Sequence, residues 1–98
     1  MNRVFKALSD PTRREVLALL REGPMSAGAL ADHFPVSKAT MSAHFNVLRE
    51  AGLVDTEKQG TTVIYHLQLS VLEEALLGLA RAVGAGIGAA DARGRAEP

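Results

Sequence analysis

The side chains of this chain that are best suited to bind a metal ion or transfer protons are its three histidines, His33, His44 and His66. No two of them lie three or four positions apart, and none has a carboxylate at that spacing, so no single helix turn would gather them into a ligand set. The chain has no cysteine, which excludes disulfides, thiolate ligands and thiol redox sensing. We expect no metal site and no cofactor, and we interpret His44 as a hydrogen-bonded packing residue.

Catalysis by a covalent nucleophile finds no support either. The sequence has no glycine-rich phosphate loop, no HExxH or GxSxG motif and no thiol. Ser42 and His44 are two positions apart on a predicted helix, so their side chains point in different directions. We expect that the protein is not an enzyme.

Hydrogen bonding to the edges of DNA bases is the chemistry that the sequence supports best. Ser37 caps a predicted helix that Gly52 ends, and Met41, Phe45 and Leu48 share the face that must turn to the core. The remaining surface is small or polar near the N-terminal end, which allows a helix to approach base edges closely. The predicted reading residues are Lys38, Ala39, Thr40, Ser42, Ala43 and Asn46.

Two flanking elements complete a winged helix-turn-helix, a mainly α fold with a small β-hairpin. A short helix over residues 26–33, capped by Ser26, precedes the reading helix and is joined to it through residues 34–36. Strands over residues 53–58 and 61–67 follow it, with Gln59-Gly60 predicted as a two-residue hairpin loop. The tip of this wing carries groups suited to phosphate or to the minor groove, namely Lys58, Gln59, Thr61 and Thr62.

The first and last helices carry apolar stripes that such a small domain cannot cover by itself. The sequence predicts helices over residues 2–8, from Asp10-Pro11 to Gly23-Pro24, and from a Ser70 cap onward. Apolar patches of this kind are normally buried against a partner, so we expect a homodimer. Its predicted interface consists of Val4, Phe5, Leu8, Leu72, Leu76, Leu79 and Val83. We expect one domain over residues 1–87 and a disordered tail over 88–98.

The charge of the chain is zero overall but unevenly distributed. Residues 1–49 carry seven lysines and arginines against four acids, and residues 50–98 carry four against seven. A neutral protein with this polarity can still turn a basic face to phosphate. Arg13 and Arg14 lie in the first turns of the second helix, where either a contact to the DNA backbone or a plain solvated face is possible. No apolar run approaches about 18 residues and no leader is present, so we expect a cytoplasmic protein with no membrane partner.

These segments resemble the ArsR-type winged-helix transcriptional repressors, and among them the SdpR-like autorepressor group. The resemblance spans residues 2–77 and rests on VFKALSDPTRREVLALL, MSAGALADHF, VSKATMSAHFNVLREAGLV and QGTTVIYHL. It implies a homodimer that binds imperfect inverted repeats in promoters through the fourth helix and the wing. Many members have a His-His pair where this chain has Ala43-His44, and the cysteines or Asp/His pairs of metal-sensing members are missing here.

Two other functions stay open at this point. A protein-interaction module of the same fold is favoured modestly by the zero net charge and by Ala43. A sensor of a small molecule or metal is the second alternative, and the sequence identifies no effector, operator or regulated gene.

Overall fold

The structure, a computed structural model, describes residues 2–84 and contains five helices and three short strands in that range. The elements are α1 (Asn2–Leu8), α2 (Pro11–Leu20), β1 (Met25–Ser26), α3 (Ala27–Ala31), α4 (Lys38–Glu50), β2 (Val54–Gln59), β3 (Thr62–Leu67) and α5 (Leu69–Ala82). The predicted tail, residues 88–98, lies outside the described residues, as do the last three residues of the predicted domain.

Short polar side chains start the first three capped helices, as the sequence predicts. The side chains of Asp10, Ser26 and Ser37 accept a hydrogen bond from the backbone N–H three residues later, at 3.1, 3.0 and 3.1 Å. Each bond satisfies one of the N–H groups that a helix leaves without an internal partner. α4 ends at Glu50, and two residues later the chain turns at Gly52, whose φ of +76° costs glycine little.

The strands form one antiparallel sheet in the order β1–β3–β2. β1 was not predicted, because two residues are too few for a recognisable alternation; Met25 pairs with Tyr65 and Ser26 with Ile64. The predicted hairpin loop is wrong by one residue: Gln59 pairs with Thr62, so the loop is Gly60-Thr61. A positive φ at Gly60 and none at Thr61 match a type II′ turn, which needs glycine at its first central position.

Two predicted helix boundaries are also corrected. α3 ends at Ala31 rather than His33. α5 begins at Leu69 with Gln68 in the cap position, and Gln68 makes no side-chain capping bond, so Ser70 lies inside the first turn. The backbone N–H of Gln68 donates to the Leu53 carbonyl at 2.9 Å, which ties the start of α5 to the residue directly before β2.

The core lies where α1, α2, α3 and α4 meet the sheet. Its largest fully buried side chains are Leu30, Met41, Leu48, Leu53 and Val16. Phe45 of α4 packs on Tyr65 of β3 with ring centroids 4.9 Å apart. α4 is therefore held by the core along one side only, which leaves its other side free. Within residues 2–84, no helix has the length and apolarity needed to cross a membrane.

The Asp10 cap yields a prediction about stability. Burial raises the pKa of the Asp10 carboxyl, but the backbone hydrogen bonds from Arg13 and Thr12 and the charge of Arg13 outweigh it, so the pKa lies below its usual 3.8. A carboxyl with a lowered folded-state pKa stabilises the fold above its unfolded-state pKa, and the benefit disappears as pH falls through the folded-state value. We expect Asp10→Ala to cost about 1 kcal/mol at neutral pH.

Urea unfolding at neutral pH and at a pH of about 3, below the ordinary aspartate value, tests this. The difference between wild type and Asp10→Ala should shrink at the lower pH. Asp32→Ala is the matched control, because Asp32 is exposed at the C-terminal end of α3 and its carboxylate accepts no hydrogen bond within the described residues. If wild type and Asp10→Ala differ in the free energy of unfolding by the same amount at both pH values, the ionised Asp10 carboxylate does not stabilise α2 as proposed.

Candidate nucleic-acid interface

The N-terminal end of α4 is rigidly capped. The Ser37 hydroxyl accepts from the Thr40 N–H and donates to the Thr40 hydroxyl at 3.0 Å. The Thr40 oxygen thus receives one hydrogen bond within the chain, and its own proton stays available for an outside acceptor. This cap fixes the direction in which the first turn of α4 projects.

The exposed surface of α4 contains every predicted reading residue. Met41, Phe45 and Leu48 are buried, whereas Lys38, Ala39, Thr40, Ser42, Ala43 and Asn46 are all exposed. Ser42 and Asn46 lie one turn apart, with Ala39 and Ala43 beside them, so two hydrogen-bonding groups project between methyl groups. Within the described residues, the side chains of Lys38, Ser42 and Asn46 make no hydrogen bond, which leaves their donors and acceptors free.

A cavity of about 420 Å³ opens at the side of α4, between α3 and β3. Met41, Phe45 and Tyr65 line it with apolar surface, and Lys38, Ser42 and Asn46 are among its polar residues. Burial raises the pKa of the Tyr65 hydroxyl, so Tyr65 stays uncharged beneath the helix. The cavity shows that the polar side of α4 borders a concave surface and not a flat one.

The wing presents its tip to solvent. Lys58, Gln59, Thr61 and Thr62 are all exposed. Below the tip, His66 Nε2 bonds to the Glu57 carboxylate across the two strands at 2.6 Å. This hydrogen bond lowers the pKa of Glu57, the acid that directly precedes Lys58 in the sequence. The wing therefore offers one lysine, one amide and two hydroxyls at its end.

Arg13 and Arg14 have a role that the sequence reasoning missed. Arg13 donates to the Ala7 carbonyl at 2.8 Å and to the Lys6 carbonyl at 3.0 Å, and Arg14 donates to the Leu8 carbonyl at 2.7 Å. Both arginines bind carbonyls at the end of α1, and a contact of either with the DNA backbone stays a prediction. The last carbonyls of any helix need outside donors, so two arginines after a short turn were the available signal.

The histidines stay apart, and His44 is the packing residue that the sequence predicts. Its ring is half-buried, and its Nδ1 lies 3.1 Å from Arg13 Nη1 and 3.9 Å from the Asp10 carboxylate. Across residues 2–84, no group of three histidine, aspartate or glutamate side chains is placed to hold a metal ion.

The predicted dimer residues fall into two groups. Leu76, Leu79 and Val83 are 45%, 41% and 69% exposed, and Phe5, Leu8 and Leu72 are half-buried at the edge of the core. Val4 is only 5% exposed, so it packs in the core of its own chain and offers little surface to a partner. Leu69 and Leu77 add exposed apolar surface on α5 that was not predicted.

Comparisons with known proteins agree with this geometry. A family model described as a helix-turn-helix domain matches residues 8–57. The chain is 45% identical over 76 residues to the transcriptional repressor SdpR of Bacillus subtilis, covering 78% of this chain and 84% of that protein. It is 38% identical over 73 residues to an arsenical resistance operon repressor of Staphylococcus xylosus, covering 74% and 70%.

The backbone of the chain also resembles that of a solved relative. The structure matches the crystal structure of an ArsR family transcriptional regulator with a TM-score of 0.77 and 31% identity, over 85% of this chain and 86% of the other. The geometry and the relatives point to one conclusion. The chain has a capped helix with a polar outer face and a wing beside it, and its relatives are transcriptional regulators. The chain belongs to the ArsR-type family of winged helix-turn-helix transcriptional repressors, which are DNA-binding proteins and not enzymes.

Proposed function

We propose that the protein is a homodimeric repressor that places α4 in the major groove of an inverted-repeat operator. The observation that carries this proposal is the exposed side of α4, where Ser42 and Asn46 project free hydrogen-bonding groups between Ala39 and Ala43. Small neighbours allow the close approach that base contacts require. The likeness to an autorepressor group supports an operator in the protein's own promoter.

Two copies of the chain are needed to read an inverted repeat. The exposed leucines and the valine of α5, with Phe5 and Leu8 of α1 beside them, supply a self-complementary apolar surface. The two reading helices of a dimer should then contact half-sites about 10 base pairs apart, or a multiple of that distance, centre to centre.

Phosphate contacts are assigned to Lys38 and Lys58, with Gln59, Thr61 and Thr62 completing the wing. Neither lysine makes an ion pair within residues 2–84, so each can replace a counterion on DNA. Arg13 and Arg14 are assigned to positioning, because they already donate to α1.

The salt dependence of binding tests the proposal. In gel-shift titrations against the protein's own upstream region, wild-type affinity should fall steeply as salt rises. Lys38→Gln and Lys58→Gln should each weaken all sequences about equally. Each should also flatten the slope of log K against log salt by roughly one unit per subunit, which is roughly two units in the proposed dimer. Arg81→Gln is the control, since Arg81 lies on α5, outside the reading helix and the wing.

The competing function is a protein-interaction module of the same fold, which the zero net charge favours. It predicts no retarded band at low salt and equal behaviour of all three variants. That result would reject the DNA-binding proposal, whereas a steep salt slope that falls only in the Lys38 and Lys58 variants would reject the module.

A further inference from the structure

The guanidinium of Arg13 connects three helices. From α2, its Nε donates to the Ala7 carbonyl at 2.8 Å and its Nη2 to the Lys6 carbonyl at 3.0 Å, both at the end of α1. Its Nη1 lies 3.1 Å from Nδ1 of His44, in the middle of α4. A single side chain therefore joins α1, which carries part of the proposed dimer interface, to α4, the helix proposed to read DNA.

The chemistry of arginine fixes the direction of the bond to His44. A guanidinium has five donors and no acceptor, so Nδ1 of His44 must accept and the ring proton must be on Nε2. The Asp10 carboxylate, 3.9 Å from the same nitrogen, caps the helix that carries Arg13 and accepts the Arg13 N–H at 3.1 Å. Three groups from the start of α2 and the middle of α4 are thus packed together.

Apolar packing alone would hold α4 less specifically. Met41, Phe45 and Leu48 bury one side of the helix, but burial is non-directional and tolerates a small rotation of the helix about its axis. A hydrogen bond tolerates little rotation of the helix, because the bond weakens steeply when its distance or angle changes. His44 stands next to Ala43 and two residues from Ser42, so a rotation that broke the bond would also move the exposed side of α4.

We propose that Arg13 and His44 are positioning residues that set the rotation of α4 relative to α1 and thereby control discrimination between DNA sequences. This inference rests on the proposed function, because it concerns base reading by α4. It assigns to neither residue a contact with DNA. In a dimer built on α1 and α5, the same bond in each subunit would set the relation between the two reading helices.

The test compares replacements of His44 that differ in one acceptor. His44→Asn keeps a carbonyl oxygen close to the position of Nδ1, and His44→Leu removes the acceptor. The readout is the ratio of affinities for a duplex selected by the wild-type protein from a random pool and for its scrambled version, at one salt concentration. His44→Leu should lower this ratio about tenfold, as expected for a hydrogen bond to a charged group, and His44→Asn should stay within about threefold of wild type.

Affinity for the scrambled duplex should change little in either variant, which separates positioning from a general loss of folded protein. His33→Leu is the matched control, because His33 is exposed and outside this cluster. Arg13→Lys is a second probe: lysine keeps the charge, but its single ammonium lacks the planar fork that reaches all three acceptors, so it should also lower the ratio.

Each outcome has a separate meaning. An unchanged ratio in His44→Leu and Arg13→Lys would overturn the inference while leaving the proposed function intact, and so would equal losses in His44→Leu and His44→Asn. A wild-type protein that enriches no sequence from the pool would overturn the proposed function and this inference with it.

Discussion

Leu76→Glu is expected to convert the protein into a monomer and to lower its operator affinity by about a hundredfold or more. Leu76 is 45% exposed in the middle of α5, between the exposed Leu79 and Leu72 at the edge of the core. In a two-fold interface the new carboxylate appears twice, and burying it without a partner is costly. The affinity falls because a monomer loses the gain of holding a second half-site at high effective concentration.

Light scattering at micromolar concentration and gel shifts with the same samples measure both effects. Leu76→Met is the matched control, since methionine keeps the apolar contact and should remain dimeric and bind DNA. Circular dichroism should show that Leu76→Glu keeps its helices, because Leu76 contributes little to the core of one chain. A wild-type protein that is monomeric under these conditions would refute the dimer proposal.

The sequence predicts those parts of the fold that depend on local chemistry. Asp10, Ser26 and Ser37 mark helix starts because each makes its capping bond to a residue three positions later. The buried side of α4 follows from its apolar periodicity, and so does the exposure of all six proposed reading positions. Their contact with DNA stays a prediction, which the variants described here are designed to test.

What could not be predicted depends on contacts between distant parts of the chain. β1 exists only because Met25 and Ser26 meet β3, about 40 residues away in sequence. The link from Arg13 to His44 spans 31 positions and has no local pattern. The exposure of Val4 was also misjudged, because a short apolar helix does not reveal which of its side chains face its own core and which face a partner.

The charge of this chain explains why composition alone is a poor guide to its partner. Acids offset the lysines and arginines over the whole sequence, yet Lys38 and Lys58 stand at the capped end of α4 and near the wing tip. Of the acids in the wing, Glu57 is engaged by His66. The proposed contact surface is therefore more favourable to phosphate than a net charge of zero suggests.

Ser42→Ala is expected to change which operator bases matter as well as how tightly the operator is bound. Ser42 lies one turn into α4, its hydroxyl has no partner within residues 2–84, and the neighbouring Ala39 and Ala43 leave room for a groove edge. Losing a good base contact costs about 1–3 kcal/mol, and in a dimer the loss occurs in both half-sites. Because the hydroxyl is exposed and makes no bond in the chain, the free energy of unfolding should stay within about 0.5 kcal/mol of wild type.

The measurement crosses this variant with single-base operator mutants. Wild type should lose affinity at the base that Ser42 contacts in each half-site, while Ser42→Ala should bind all four bases at that position about equally. Ser70→Ala is the matched control, because Ser70 is an exposed serine in the first turn of α5 and should leave every base preference unchanged. If Ser42→Ala retains both the affinity and the base preferences of wild type, α4 does not read DNA through this side, and the proposed interface has to move to the wing or to another part of the helix.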